Sequence, residues 1–203
     1  IDVKSPSAFI ALKPPLALEA ELGVAFDWRP LTLNIPSYLG SAEKKKGKVV
    51  ASEGRSAGTW NLVRYAYSDA RRYAAQQGYV LKGTEKIWDS SIANIGILWT
   101  VDNARDRLPA YLEAVYPPFW RRELDIEDVS VVEACLKQAG VPVEGFADFQ
   151  ANAGRNRHDA LQASFHPNGI YGVPTYVFDG TILFGREHLP YIRWHLTGRN
   201  GPA

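Results

Sequence analysis

The chain has few of the residues on which several kinds of protein chemistry depend. Its 203 residues include one cysteine, Cys135, and no methionine, and 23 Lys and Arg against 22 Asp and Glu give a formal net charge of +1. A single thiol excludes an intrachain disulfide, a Cys-x-x-Cys redox pair and a thiolate zinc cluster. The near-neutral charge gives no general attraction to nucleic acid or to an anionic membrane surface. We therefore predict neither a nucleic-acid partner nor a membrane partner.

Long apolar runs are also missing. No stretch approaches the roughly 18 unbroken apolar residues that a membrane-spanning helix needs, and the first residues show no charged-then-apolar leader pattern. We therefore expect a cytoplasmic protein. Because 46% of the residues are hydrophobic, the chain can form a sizeable core. Since the sequence starts at Ile1 and lacks methionine, we also expect that further residues precede it.

The first part of the chain changes its hydrophobic pattern in an ordered way. Residues 7–22 have helical spacing interrupted by a Pro-Pro pair, which predicts one kinked helix. Residues 24–29 alternate like a half-buried strand, and residues 1–4 read as a shortened strand before the helix, so the three segments predict a βαβ unit. Residues 36–56 are polar and small, which predicts a long surface loop.

Helical spacing dominates the middle of the chain. Six helices are predicted, over residues 58–77, 89–102, 108–121, 127–139, 144–152 and 157–165. Asp179-Gly180 then links two β-rich runs, which is typical of a hairpin, and residues 185–196 read as a last helix.

This order of elements is that of an α/β protein with a thioredoxin-like fold and an inserted all-helical domain. Strands from both ends of the chain must then pair in one sheet. We predict a discontinuous thioredoxin-like domain of residues 1–40 and 167–203 and an inserted helical domain of residues 41–166.

Both ends of the chain carry motifs of one family. Residues 1–11 resemble the opening D-x-x-S-P-(aromatic)-S-(aromatic)-L-A of 2-hydroxychromene-2-carboxylate isomerases and kappa-class glutathione transferases. Residues 172–180 and 184–189 resemble the closing GVPTFVVDG and (F/W)GQDRL motifs, and residues 65–72 resemble the first inserted helix. These families belong to the DsbA-like group, so the resemblance implies a thioredoxin fold with a helical insertion, glutathione as cofactor, a small aromatic substrate and a homodimer.

Ser5 is the candidate catalytic residue. A Ser-Pro pair at a strand-to-helix junction predicts a helix N-cap, where free N–H groups and the helix dipole favour an anion. Capping alone is a sufficient explanation of Ser5 on local sequence. The resemblance implies instead that the Ser5 hydroxyl donates to the glutathione thiolate.

The resemblance also implies three groups of glutathione contacts. Val173 docks the cysteinyl backbone beside a cis Pro174, Arg186 and Glu187 hold the γ-glutamyl end at a helix start, and Arg55 belongs to an N-R-S stretch. Structural alternatives exist, because proline at the start of a strand and an acid in a first helical turn are both common.

Arg186 stands where family members usually carry Gln or Ser, and Glu187 stands where they carry Asp. Three further positions depart from the family pattern. Ser7 replaces an aromatic residue, Ala8 replaces a second serine, and Gly54 replaces the asparagine of the N-R-S stretch. The changes at positions 7 and 8 predict a smaller and less polar pocket beside Ser5. The change at position 54 removes one expected glutathione contact.

Trp60, Tyr65 and Tyr67 are the candidates for an aromatic substrate pocket, although core packing explains them equally well. Cys135 lies on the apolar face of its helix, which predicts a buried thiol. The four histidines lack paired ligand spacing, so we predict no metal site. The lysine run at residues 44–46 is typical of a solvated loop.

Three functions stay open at this stage. The first is a glutathione-dependent isomerase acting on an aromatic-derived conjugated carboxylate, with a kappa-type transferase as its variant on the same site. The second is protein disulfide exchange, against which a serine at the nucleophile position argues because it cannot form a mixed disulfide. The third is a thioredoxin-fold binding module without activity.

Overall fold

A computed structural model describes residues 1–200 of the chain. The helices within that range are α1 Pro6–Ile10, α2 Lys13–Leu22, α3 Ile35–Leu39, α4 Ala57–Gln76, α5 Ser91–Asn103, α6 Leu108–Trp120, α7 Val129–Gln138, α8 Phe146–Ala151, α9 Ala153–Phe165 and α10 Leu189–Leu196. The strands are β1 Ser41–Lys45, β2 Lys48–Glu53, β3 Thr175–Phe178 and β4 Thr181–Phe184. Short 3-10 turns occur at Arg105–Arg107, His166–Asn168 and Arg186–His188.

The six helices predicted for the middle of the chain are confirmed as α4 to α9. Their ends move by a few residues, most at α9, which begins at Ala153 rather than at residue 157. None of the helices described between residues 1 and 200 is long and apolar enough to cross a membrane.

The prediction of one kinked helix over residues 7–22 is wrong, because the chain forms two helices there. Pro6 occupies the first turn of α1, and Pro14 and Pro15 lie at the start of α2. A proline in a first turn needs no N–H partner, so the prolines begin a new helix instead of bending an existing one. Gly23, at φ +63°, ends α2.

The strands predicted at residues 1–4 and 24–29 are also absent. The Ile1 ammonium donates to the Arg29 carbonyl, and Leu31 N–H donates to the Ile1 carbonyl, which is one pairing of the parallel type. Glu19 of α2 satisfies the next donors, because its carboxylate accepts from Phe26 N–H at 2.6 Å and from Trp28 Nε1 at 3.1 Å. A side chain therefore replaces the neighbouring strand as the acceptor.

The long loop predicted at residues 36–56 is replaced by α3 and a β-hairpin. β1 and β2 pair antiparallel across Lys46-Gly47, both of which have positive φ, with a register shift at Glu43/Lys44. Two such residues form a tight hairpin turn. The inserted segment thus opens with a hairpin before its helices.

The C-terminal hairpin is confirmed, but its predicted pairing with the N-terminal segment is wrong. β3 and β4 pair antiparallel around Asp179-Gly180, both with positive φ, and form a two-stranded sheet of their own in the described part of the chain. His195 of α10 bonds Asp179 through its Nε2 at 2.9 Å, and Arg193 pairs with Glu21 of α2. Side chains of α10 therefore link the hairpin to the N-terminal helices.

A cluster of aromatic rings joins α1 to the helices of the inserted segment. Phe9 is fully buried, and its ring lies 4.9 Å from Tyr79, 5.9 Å from Tyr116 and 6.0 Å from Trp120 between centroids. Burial of a side chain of this size contributes roughly 1.5–3 kcal/mol. This packing fixes the short helix that begins directly after Ser5.

Candidate active site

One large cavity, of about 890 Å³, lies between the two ends of the chain and the inserted segment. Its walls are the loop before α1, residues 31–39, the β1–β2 hairpin, the first half of α4, residues 82–88, and the chain around Val173. Ligand sites of proteins commonly have volumes of about 300–1,000 Å³. The cavity therefore has room for a small organic ligand together with a peptide-sized cofactor.

Ser5 lies in this cavity and caps α1. Its side chain is 4% exposed, and Oγ accepts from the Ala8 N–H at 3.2 Å. A hydroxyl that accepts one bond still carries its own proton for donation. The predicted N-cap is thus confirmed, and the hydroxyl can donate to a group bound in the cavity.

Val173 lines the same cavity, although it is far from Ser5 in the sequence. Its side chain is buried, and the bond to Pro174 is cis, as the resemblance implies. The Pro174 carbonyl accepts from Gly185 N–H at 2.9 Å, while Pro174 itself does not line the cavity.

Arg55 and Trp60 form a stacked pair on the cavity wall. The guanidinium carbon of Arg55 lies 4.8 Å from the Trp60 ring centroid, and Nη2 donates to the Gly40 carbonyl at 3.4 Å. Arg55 Nε is buried and has no hydrogen-bond partner among residues 1–200. A buried guanidinium N–H without a partner is costly, so this group is suited to an anionic ligand.

The charged side chains of the cavity wall are mostly cations, of which Lys86 is already paired with Glu127 at 2.6 Å. The cations that line the cavity are Lys4, Lys44, Arg55, Arg64, Arg71, Lys82 and Lys86. Among the described lining residues Glu85 is the single carboxylate, and Arg122 pairs with it at 3.0 Å. Aromatic side chains, including Trp60, Tyr67 and Trp88, lie between the cations. Such a wall favours a planar ligand that carries a carboxylate.

Tyr38 adds a phenol to the same wall. Partial burial raises the pKa of Tyr38 to about 12, and the negative charge of Asp2 acts in the same direction. A phenol is protonated at neutral pH even at its ordinary pKa, so Tyr38, which is 53% exposed, can act as a neutral hydrogen-bond donor.

Besides Pro174, three predicted site residues lie outside the cavity lining. Tyr65 is 64% exposed, with the Arg72 guanidinium 6.0 Å from its ring, because it points away from the face of α4 that carries Trp60 and Tyr67. Arg186 stacks on Tyr73, with its guanidinium carbon 3.2 Å from the ring centroid. Glu187 is exposed, and its carboxylate folds back over Gly185. The structure does not bring these three together with Ser5.

Part of the cationic wall has no signal in the charge pattern of the sequence. The lysine run predicts a solvated loop, but Lys44 lines the cavity, while Lys45 beside it is exposed. Lys44 N–H donates to the Glu85 carbonyl at 2.7 Å, which joins the hairpin to residues 82–88. The side-chain alternation of a strand separates the two lysines. Gly47, a residue that readily takes a positive φ, is the sequence signal for the hairpin turn that follows this strand.

Cys135 offers no alternative thiol chemistry at this site. It is 4% exposed on α7, outside the cavity lining, and burial raises the pKa of its thiol. A thiol in such surroundings is unreactive because the thiolate is the nucleophile. Within residues 1–200 no three His, Cys, Asp or Glu side chains converge in a way that could hold a metal ion.

A family model described as the DSBA-like thioredoxin domain matches residues 1–197. The chain belongs to the DSBA-like thioredoxin domain family. The fold is accordingly a DsbA-like thioredoxin fold, as predicted from the sequence.

Solved structures and a curated relative resemble the chain at low identity. A 2-hydroxychromene-2-carboxylate isomerase structure superposes with a TM-score of 0.72 at 20% identity, covering 98% of this chain and 92% of the other. A probable DsbA oxidoreductase from Streptomyces coelicolor gives 0.67 at 17% identity, covering 100% and 90%. The 2-hydroxychromene-2-carboxylate isomerase of Sphingobium xenophagum is 22% identical over 93 residues, 45% of this chain, and that match spans 48% of the relative.

Proposed function

We propose that the DSBA-like chain is a glutathione-dependent isomerase of the 2-hydroxychromene-2-carboxylate isomerase type, acting on an aromatic-derived conjugated carboxylate. The observation that carries this proposal is the meeting of Ser5 with a cationic and aromatic wall in one cavity. The isomerase relatives support the same reaction class.

The residues of the cavity fit glutathione, a tripeptide with two carboxylates and a thiol. Arg55, with its unpartnered buried Nε, provides a charged donor for a carboxylate. The backbone at Val173, on the cavity wall, provides hydrogen-bonding groups for a peptide. Ser5 Oγ provides a hydroxyl donor for the thiolate. Arg186 and Glu187 remain our predicted contacts for the γ-glutamyl end.

Glutathione, when bound, supplies a thiolate that adds reversibly to a conjugated double bond and departs after rotation about the resulting single bond. The chain itself has three tasks in this reaction. Ser5 donates a hydrogen bond that holds the sulfur as an anion, Trp60 presents an aromatic face to the substrate, and the cations of the wall hold the substrate carboxylate. Glutathione is not consumed, because the bond that forms also breaks.

An absorbance assay with 2-hydroxychromene-2-carboxylate tests the proposal. We expect isomerisation that requires both the protein and reduced glutathione, with no loss of glutathione when the mixture is analysed by mass spectrometry. Accumulation of a glutathione conjugate would assign a kappa-type transferase instead. Binding of glutathione without turnover of this and related aromatic carboxylates would leave a binding module.

The homodimer implied by the family resemblance stays a prediction. Light scattering with and without glutathione measures the mass of the protein in solution and decides it.

A further inference from the structure

A fully buried carboxylate lies at the base of the loop that carries Ser5. Asp2 is 0% exposed, and its Oδ1 accepts from the Ser90 hydroxyl and from Asn94 Nδ2 at 3.0 Å. Its Oδ2 accepts from Leu33 N–H at 2.9 Å. Both oxygens are therefore satisfied, as a buried charge requires.

The hydrogen bonds of Asp2 and Asn94 fix the loop before α1 residue by residue. The Asp2 carbonyl accepts from Ser5 N–H at 3.0 Å, and Asn94 Oδ1 accepts from Val3 N–H at 3.2 Å. A longer bond of 3.4 Å joins Lys4 N–H to Asp2 Oδ1. Asn94 of α5 thus helps to fix the position of Ser5.

The same network fixes a second wall of the cavity. Asn94 Nδ2 donates to Thr32 Oγ1 at 2.7 Å, and that hydroxyl lies 2.8 Å from Nε2 of the buried His158 on α9. Gln162, also on α9, accepts from Thr32 N–H at 2.8 Å. Hydrogen bonds to the same two side chains, Asp2 and Asn94, therefore hold residues 31–33 and the Ser5 loop in fixed relative positions.

We propose that Asp2 is a positioning residue that sets the Ser5 hydroxyl relative to the cavity wall at residues 31–33. The inference rests on the proposed thiol site at Ser5. A buried charge with its partners contributes little net stability compared with a well-packed apolar group, so its value lies in the geometry that it imposes. A displacement of the Ser5 loop would weaken the contact between the Ser5 hydroxyl and the thiolate, although the Asp2 side chain itself does not touch the ligand.

The variant Asp2→Asn tests this proposal. Its side-chain NH₂ group would face the N–H and O–H donors from which the Asp2 carboxylate accepts hydrogen bonds. We expect the dissociation constant for reduced glutathione, measured by calorimetry, to rise about tenfold or more. Ile97→Val, a core change in α5 outside the cavity, is the control for general loss of stability and should bind as the native protein does. All measurements are made where circular dichroism shows each variant to be folded.

A merely stabilising role predicts a different result, namely a lower melting temperature with an unchanged dissociation constant in folded Asp2→Asn. That result overturns the inference. If Asp2→Asn does not fold, Ser90→Ala decides the question, because it removes one donor and leaves the carboxylate in place. We expect a rise of roughly two- to fivefold for Ser90→Ala, and an unchanged dissociation constant overturns the inference.

Hydrogen exchange separates this inference from the proposed function. If the native protein binds no glutathione, the proposed function fails, but the positioning role can still be measured in the free protein. Faster exchange at residues 2–8 and 31–33 in Asp2→Asn, and not in Ile97→Val, supports the role. Equal exchange in both variants overturns it.

Discussion

The loop that carries Ser5 and the wall formed by β1, Arg55, α4 and residues 82–88 border the same cavity, but they differ in burial, charge and hydrogen bonding. Ser5 is 4% exposed, and buried neutral or fully satisfied groups hold it in place. On the other wall, half-exposed cations stack on aromatic rings, as Arg55 stacks on Trp60. The Ser5 side therefore fixes the position of a hydroxyl, and the cationic side attracts a negatively charged ligand. Substitutions on the two sides should therefore change different kinetic constants.

Ser5→Ala should have the largest effect. We expect kcat to fall by about 10² to 10³, because loss of one donor to a developing anion has effects of that size. The lost helix cap lowers stability by roughly 0.5–2 kcal/mol as well, so steady-state kinetics are measured together with thermal unfolding.

Asp128→Ala is the matched control for Ser5→Ala. Asp128 caps α7 through Ser130 N–H at 2.8 Å, outside the cavity. It should lose stability without loss of kcat. Equal losses of kcat in both variants would show that Ser5 acts only as a cap.

Arg55→Met should have the next largest effect, and on a different constant. We expect KM for the aromatic carboxylate or for glutathione to rise about tenfold or more with a smaller change in kcat, because hydrogen bonds to charged groups contribute roughly 1.5–3 kcal/mol. Arg193→Gln, which removes an exposed cation far from the cavity lining, should leave KM unchanged. A fall in kcat alone for Arg55→Met would contradict the division between the two walls.

Lys44→Gln and Lys45→Gln form a neighbouring pair that sharpens the comparison. Only Lys44 lines the cavity, so only its variant should raise KM, by roughly two- to fivefold, and this difference should shrink at high salt because exposed charges are screened. Equal values of KM for the two variants would show that the hairpin does not contribute to binding.

Glu21→Gln should have the smallest effect, and on stability alone. Arg193 lowers the pKa of Glu21 below its ordinary value of 4.5 in the folded protein. The ion pair therefore stabilises the fold above that value and is lost as the pH falls through the lowered pKa. We expect a small decrease in melting temperature at neutral pH that vanishes in acid, with kcat and KM unchanged.

Much of the fold follows from local patterns in the sequence. Helical spacing placed α4 to α9, and Asp179-Gly180 placed the C-terminal hairpin, because both signals depend on nearby residues. The strand predicted at residues 24–29 failed for a reason that is not local. Glu19 accepts from the Phe26 N–H, a backbone donor that a neighbouring strand would have bonded, and such a contact has no signature in the hydrophobic pattern.

The candidate site was predictable in part. A Ser-Pro pair identified the cap at Ser5, and the family motifs pointed to Val173 and Arg55. The cations at residues 82–88 were missed because they lie in a segment without regular structure, which only the fold brings beside α4. Tyr65 and Tyr67 are two residues apart on a helix, so their sides could be assigned only once the packing of α4 was known.

Thermal unfolding with and without reduced glutathione, on the native chain and on Ser5→Ala, tests the central claim most directly. A ligand at a hundred times its dissociation constant adds about 2.7 kcal/mol, which for a chain of this size is a shift of roughly 5–10 °C. We expect that shift for the native chain and a smaller one for Ser5→Ala. No shift at millimolar glutathione would contradict the proposed thiol site.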